Sequence, residues 1–254
     1  MLSYSIIKHT VANTASLSEN EGAAFSIASS MGVILEKHNV IKHPFFQMWS
    51  CGGVTSDTMR VFVCQFYHVV QHFPRMLSAV HSNTSEIVVR KMLLESLKVE
   101  DGAKEHSAEL WIRFAESLGI SRDQLENTLP MMLTKNLLDT MNNFCRNRSF
   151  VEGLASLYAY ESQLPELFKL KVEGLQKYYN TSEKRVIKFF TVRQEKDNNH
   201  STIEKEIIEK NVNMENYSKV TYAAESTAFA FWRFLDGIME VYGKNSKQTF
   251  PRLQ

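Results

Sequence analysis

The chain has 254 residues, 44% of them hydrophobic, and its 29 basic and 28 acidic side chains leave a formal net charge of +1. That length buries a full core, and the interspersed charges exclude a basic nucleic-acid surface or a polybasic membrane patch. No apolar run approaches the roughly 20 residues of a membrane span, and residues 1–22 lack an apolar core followed by a small-residue cleavage site. A cytoplasmic protein without nucleic-acid or membrane partners is the expectation. Cys51, Cys64 and Cys145 show no CxxC or Cys/His finger spacing and read as reduced thiols.

Ten Gly and five Pro scattered among long amphipathic stretches favour an all-α fold. Residues 1–20, rich in Ser, Thr and Asn, read as a flexible arm, and 21–254 as one helical domain. GAAFSIASSMGVILEKHNV is the first helix and HPFFQMWS a short second one. The third, TSDTMRVFVCQFYHVVQHF, opens on Thr55, Ser56 and Asp57, and Pro74 is expected to bend or interrupt it. TSEIVVRKMLLESLKVEDG stops at Asp-Gly, and HSAELWIRFAESLG at Gly119. Ser121 with Gln124, and Ser149 with Glu152, have capping-box spacing and are expected to open two long helices. A charged helix from Ser182 to about Asn211 and the stretch YSKVTYAAESTAFAFWRFLDGIMEVYG complete a compact bundle of about seven or eight helices.

Three sets of ionisable residues fall on helix faces where they need an explanation. In LYAYESQLP, read as one continuous helix, Glu161 shares a side with Leu154, Tyr158, Leu164, Pro165 and Phe168. An isolated carboxylate there costs several kcal/mol unless it is protonated, paired or bound to a metal. Arg193, Asp197 and His200 are spaced i, i+4 and i+7, on one face. Glu100 ends one apolar helix and His106 starts the next. Carboxylates and an imidazole presented from separate helices are how a bundle builds an iron or manganese site. The structural alternatives are a buried pair of Glu161 with Lys171 or Arg193, an i,i+4 ion pair between Arg193 and Asp197, and solvated histidines at 106 and 200. His43, His68, His72 and His81 sit among aromatics and read as core or rim residues.

HPFFQMWS, FPRMLSAVHS, the LLESL run, ELWIRFAESLGI, LYAYESQLPELFKLKVEGL and RFLDGIM together resemble the TENA/THI-4 and PqqC-like group, and within it the CADD proteins (Chlamydia protein associating with death domains). The resemblance runs from about residue 36 to 240. It implies a haem-oxygenase-like helical bundle that binds no haem, forms a homodimer, and holds a non-haem dimetal centre that makes p-aminobenzoate for folate. It further implies that the protein's own tyrosine supplies the ring and a lysine the amino group. On this chain Glu100 and Glu161 match the two glutamate ligands, and Asp197 and His200 match part of the third ligand set. His106, five residues before Trp111, is the candidate for the histidine that follows the first glutamate. Lys171 matches the lysine of the mechanism and Tyr160 a tyrosine beside the glutamate ligand. The chain departs from the pattern at Arg193, where a histidine ligand is implied, and at Phe46 and Phe62, where tyrosines are. Arginine has no lone pair to offer a metal.

The resemblance therefore implies an iron-dependent, oxygen-activating oxidoreductase with an altered site, holding one or two iron ions with manganese as the alternative metal. Its substrate is a small molecule or one of its own side chains, with Tyr67, Tyr158 and Tyr160 as the remaining tyrosines. The other readings are a PqqC-like or TENA-like enzyme acting on a small heterocycle, and a non-catalytic module that binds death-domain proteins.

Overall fold

The computed structural model describes residues 20–101, 106–179 and 184–248, without the side chains of 20–26, 99, 184–186, 194–199 and 242–248. Apart from Asn20, the arm expected over residues 1–20 lies outside the described residues. Eleven α-helices run through the described residues, more than the seven or eight expected. They are α1 (Asn20–Lys37), α2 (Pro44–Ser50) after a 3-10 turn at Val40–Lys42, α3 (Ser56–Ser82), α4 (Ile87–Glu100), α5 (Ser107–Ser117) and α6 (Arg122–Asn127). Then follow α7 (Met132–Asn147), α8 (Phe150–Glu161), α9 (Leu164–Tyr178), α10 (Lys184–Asn211) and α11 (Tyr217–Gln248). Among these helices none is long and apolar enough to cross a membrane.

The extra helices come from breaks at prolines. Ser121 forms its capping box, with its Oγ accepting from the Gln124 N–H at 3.2 Å and Gln124 Oε1 accepting from the Ser121 N–H at 3.0 Å. It nevertheless opens a helix of only six residues, because Pro130 disfavours helical geometry at Leu129. The link between α6 and α7 is held by buried Gln65. Its Nε2 donates to the Leu129 carbonyl at 3.1 Å, while Oε1 accepts from the Met131 N–H at 2.8 Å and the Thr134 hydroxyl at 2.7 Å. Likewise the stretch expected to continue past Glu161 stops there, and Pro165 sits in the first turn of α9, where a proline costs no hydrogen bond. Pro74 behaves in the opposite way. It lies inside α3 and does not interrupt it, because apolar residues on both sides of it, including Phe73, Met76 and Leu77, are buried in the core and outweigh the lost backbone bond.

Helix α8 forms the middle of the packing, flanked by α3, α7, α10 and α11. Its small residues allow this. A Cβ on Gly153 would stand 2.8 Å from Val80 Cγ2 on α3, and Ser156 shares a 2.7 Å buried hydrogen bond with Thr227 on α11. Glu161, at the far end of this helix, is thereby carried into the interior, where it is 1% exposed.

Candidate functional site

Lys171, on α9, has no exposed surface. Its Nζ lies 4.6 Å from the ring centre of Phe66, 4.8 Å from Phe62, 5.2 Å from Phe46, 5.4 Å from Phe168 and 5.7 Å from Phe190. No hydrogen-bond partner reaches this nitrogen among the described residues. Burial first, and the neighbouring Arg193 charge second, hold its pKa well below the usual lysine value. Ring faces favour an ammonium by about 0.5–2 kcal/mol each, which opposes the cost of removing that ion from water. Burial thus shifts the balance away from the ammonium and toward the neutral amine. The two positions where the resemblance implied tyrosines, Phe46 and Phe62, form part of this dry wall.

The backbone beneath the amine is fixed by Trp49, whose Nε1 donates to the Lys171 carbonyl at 3.2 Å. Gly174, one turn further along α9, leaves room for that indole: a Cβ there would fall 2.5 Å from Trp49 Cδ1. This support from α2 was not visible in the sequence, where Trp49 and Gly174 are two unremarked residues far apart.

Arg193 and Glu100 form the second feature. Arg193 on α10 is 3% exposed and Glu100, the last residue of α4, is 4% exposed. Arg193 Nη1 lies 2.8 Å from Glu100 Oε1 and 2.9 Å from Oε2. The guanidinium also sits 5.4 Å from the Phe73 ring and 5.7 Å from Phe189. Charge-assisted contacts of this kind are the strong ones. The sequence offered Glu161 and Asp197 as partners for Arg193; the structure pairs it with Glu100.

The remaining buried donors lie on α8 and α10. Glu161 and Glu204 are each 1% exposed and His200 is 5% exposed. Both carboxylates bear on the Cys145 thiol, which burial first, then Glu204, and to a lesser degree Glu161, push far above its ordinary pKa. His200 Nδ1 and Ser96 Oγ are 3.3 Å apart. Ser96 Oγ also lies 3.3 Å from the Met92 carbonyl, to which it donates. Glu204 was missed in the sequence, although it follows His200 by four residues and so shares its face. Asp197 lies in α10 with its side chain outside the described residues. Tyr160 is 2% exposed, its ring 5.5 Å from Phe73 and 5.0 Å from Phe231. Tyr158 is half-buried, and burial first, then Glu204, raise its hydroxyl pKa.

His106 is placed apart from these groups. It is exposed and caps α5, its Nδ1 accepting from the Glu109 N–H at 3.3 Å. A ring nitrogen spent on the orphan amides of a helix start is a local role that a one-dimensional spacing does not reveal. Among the described residues, no three His, Cys, Asp or Glu side chains come together as a metal ion requires.

The TENA/THI-4/PQQC family matches residues 32–237. The chain belongs to that family. Among its relatives, the 4-aminobenzoate synthase of Nitrosomonas europaea is 36% identical over 223 residues, 84% of this chain and 90% of the relative. The 4-aminobenzoate synthase of Chlamydia muridarum is 30% identical over 217 residues, covering 85% and 92% of the two chains. The pyrroloquinoline-quinone synthase of Acinetobacter baumannii is 25% identical over 156 residues, 60% of this chain and 62% of the relative. A domain with a haem-oxygenase-like fold from Shewanella denitrificans superposes with a TM-score of 0.70 at 16% identity, over 94% of this chain and all of that one. A CADD-like protein of unknown function from Nostoc punctiforme gives 0.68 at 15% identity, over 91% and 99%. This TENA/THI-4/PQQC-family chain therefore has the haem-oxygenase-like all-α fold, and the cage, the arginine pair and the buried carboxylates occupy the interior of that bundle.

Proposed function

We propose that the chain is an oxygen-activating, non-haem iron oxidoreductase that forms 4-aminobenzoate, with an altered ligand set. The observation that carries this reading is Lys171, a fully buried amine ringed by five phenylalanines, whose pKa burial holds well below the usual lysine value. A neutral amine has the lone pair that carbon–nitrogen chemistry needs, and a cage of phenyl rings keeps water from competing with it. The names of the 30–36% identical relatives point to an aromatic amine as product.

The donor chemistry supports one iron rather than two. Glu161 and His200 are buried oxygen and nitrogen donors of the type iron takes. Asp197, three residues before His200, would complete the proposed set. Glu100 has both oxygens on Arg193, and His106 caps a helix at the surface. Bound iron would supply one-electron oxidation with dioxygen. The protein's own residues would do the rest. Ser96 would orient the His200 ring, Trp49 and Gly174 fix the Lys171 backbone, and the phenylalanines would exclude water from the amine. Tyr160, which precedes Glu161 in sequence, would supply a buried, oxidisable ring. Expression in a bacterial strain that requires 4-aminobenzoate tests the proposal. The parent protein restores growth and Lys171→Met does not. Failure of the parent to restore growth, together with no 4-aminobenzoate from iron-loaded protein in air, would refute it.

A further inference from the structure

Glu100 sits where a first carboxylate ligand is implied and Arg193 where a histidine ligand is implied, yet the two side chains bind each other. One guanidinium nitrogen touches both oxygens of the carboxylate, at 2.8 and 2.9 Å, and both residues are almost fully buried. A guanidinium stays charged at every pH a protein survives. A divalent ion bound to Glu100 would therefore lie against a fixed positive charge in a medium that screens it poorly. Turning Arg193 aside would leave that charge buried without its carboxylate, which is costly as well. The rings of Phe73 and Phe189, 5.4 and 5.7 Å from the guanidinium carbon, hold it in this position.

We propose that Arg193 is a permanent internal cation that closes one of two cation positions at the buried carboxylate centre, so that the centre holds a single ion. The inference rests on the iron-binding reading above and sharpens it. Glu100 is neutralised by protein rather than by metal, and the α4–α10 contact it makes does not depend on metal loading.

The test is iron per chain, by elemental analysis, for the parent, Arg193→His and Arg193→Lys proteins loaded anaerobically with ferrous iron and freed of excess. Expected are about one iron in the parent and in Arg193→Lys, which keeps the charge, and a rise toward two in Arg193→His. Two irons in the parent would overturn the inference and leave the iron reading standing. One iron in both the parent and Arg193→His would do the same, since removing the arginine would have opened nothing. No iron in any of the three would overturn the iron reading and the inference together. Circular dichroism checks that the variants fold. If Arg193→His does not fold, cobalt(II) titration of the parent followed by its visible absorption decides. One equivalence point supports the inference and two overturn it.

Discussion

Lys171→Met exchanges the caged amine for a side chain of similar length without a polar end, and should stabilise the protein while destroying the proposed activity. Above about pH 10.4 the amine is neutral in both the folded and unfolded chain. There the gain is the cost of a buried polar group with no hydrogen bond, about 1–3 kcal/mol. Below that pH the unfolded chain takes up a proton that the folded chain refuses, because burial and Arg193 hold the folded pKa well below its ordinary value. The parent thus loses about 1.4 kcal/mol of stability for every pH unit of descent from 10.4 until the folded amine protonates. Its stability rises with pH through this window, and that of Lys171→Met does not follow. Urea unfolding of both proteins at pH 8, 9 and 10 reads the gap directly, and it should narrow as the pH rises. In a chain of this size each kcal/mol moves the melting temperature by roughly 2–4 °C. A variant less stable than the parent, or a gap independent of pH, would mean that Lys171 is a cage-bound ammonium, and the reasoning would fail.

Gly174→Ala drives a methyl group into Trp49, 2.5 Å from Cδ1 and 2.6 Å from Nε1, so it should cost about 1–3 kcal/mol in urea unfolding and shift the tryptophan emission. Gln65→Leu abandons the Leu129 carbonyl, the Met131 amide and the Thr134 hydroxyl at once. Denaturant melts should show a loss of about 2–3 kcal/mol; a neutral result would mean that the α6–α7 link does not depend on the clamp. His43 is buried, with Nδ1 accepting from the Phe45 N–H and Nε2 donating to Asp236, and burial lowers its pKa despite that carboxylate. Unfolded histidine takes up its proton first, near pH 6.5, so stability is intact above that pH and falls as pH drops below it. His43→Asn keeps a capping acceptor and should flatten the fall between pH 7 and 5, leaving the part due to His38, His68 and His81, whose pKa values burial also lowers.

What could be read in the sequence was local. Both capping boxes form as their spacing implied, because a Ser and a Gln or Glu three residues later satisfy each other whatever the tertiary surroundings. Helix lengths were less legible. Ser121 announces a helix start but not that Pro130 will end the run, and Pro74 announces a break that core burial overrides. At the site, helical spacing places Arg193, Asp197 and His200 on one face, yet spacing within one helix says nothing of what the facing helix presents. Glu100 therefore emerged as Arg193's partner only in three dimensions. His106 reads as an interior donor by its distance from Glu100 along the chain, while a helix start claims it. The aromatic cage was the least visible feature, because its five rings come from α2, α3, α9 and α10, and phenylalanines in each of them read as ordinary core.

The pair of Glu100 and Arg193 also bears on how the chain reaches this state. Its members are 93 residues apart, and each ends up almost without exposed surface. Neither charge can surrender its water until the other arrives, so the contact belongs to the final docking of α10 against α4 rather than to the early local helices. A contact formed that late is expected to have a low φ-value, a prediction that the folding and unfolding rates of Arg193 variants test. Weakening it therefore leaves the folding rate almost unchanged and shows itself as faster unfolding. For this buried pair, the expected contribution is to how long the native state lasts once formed.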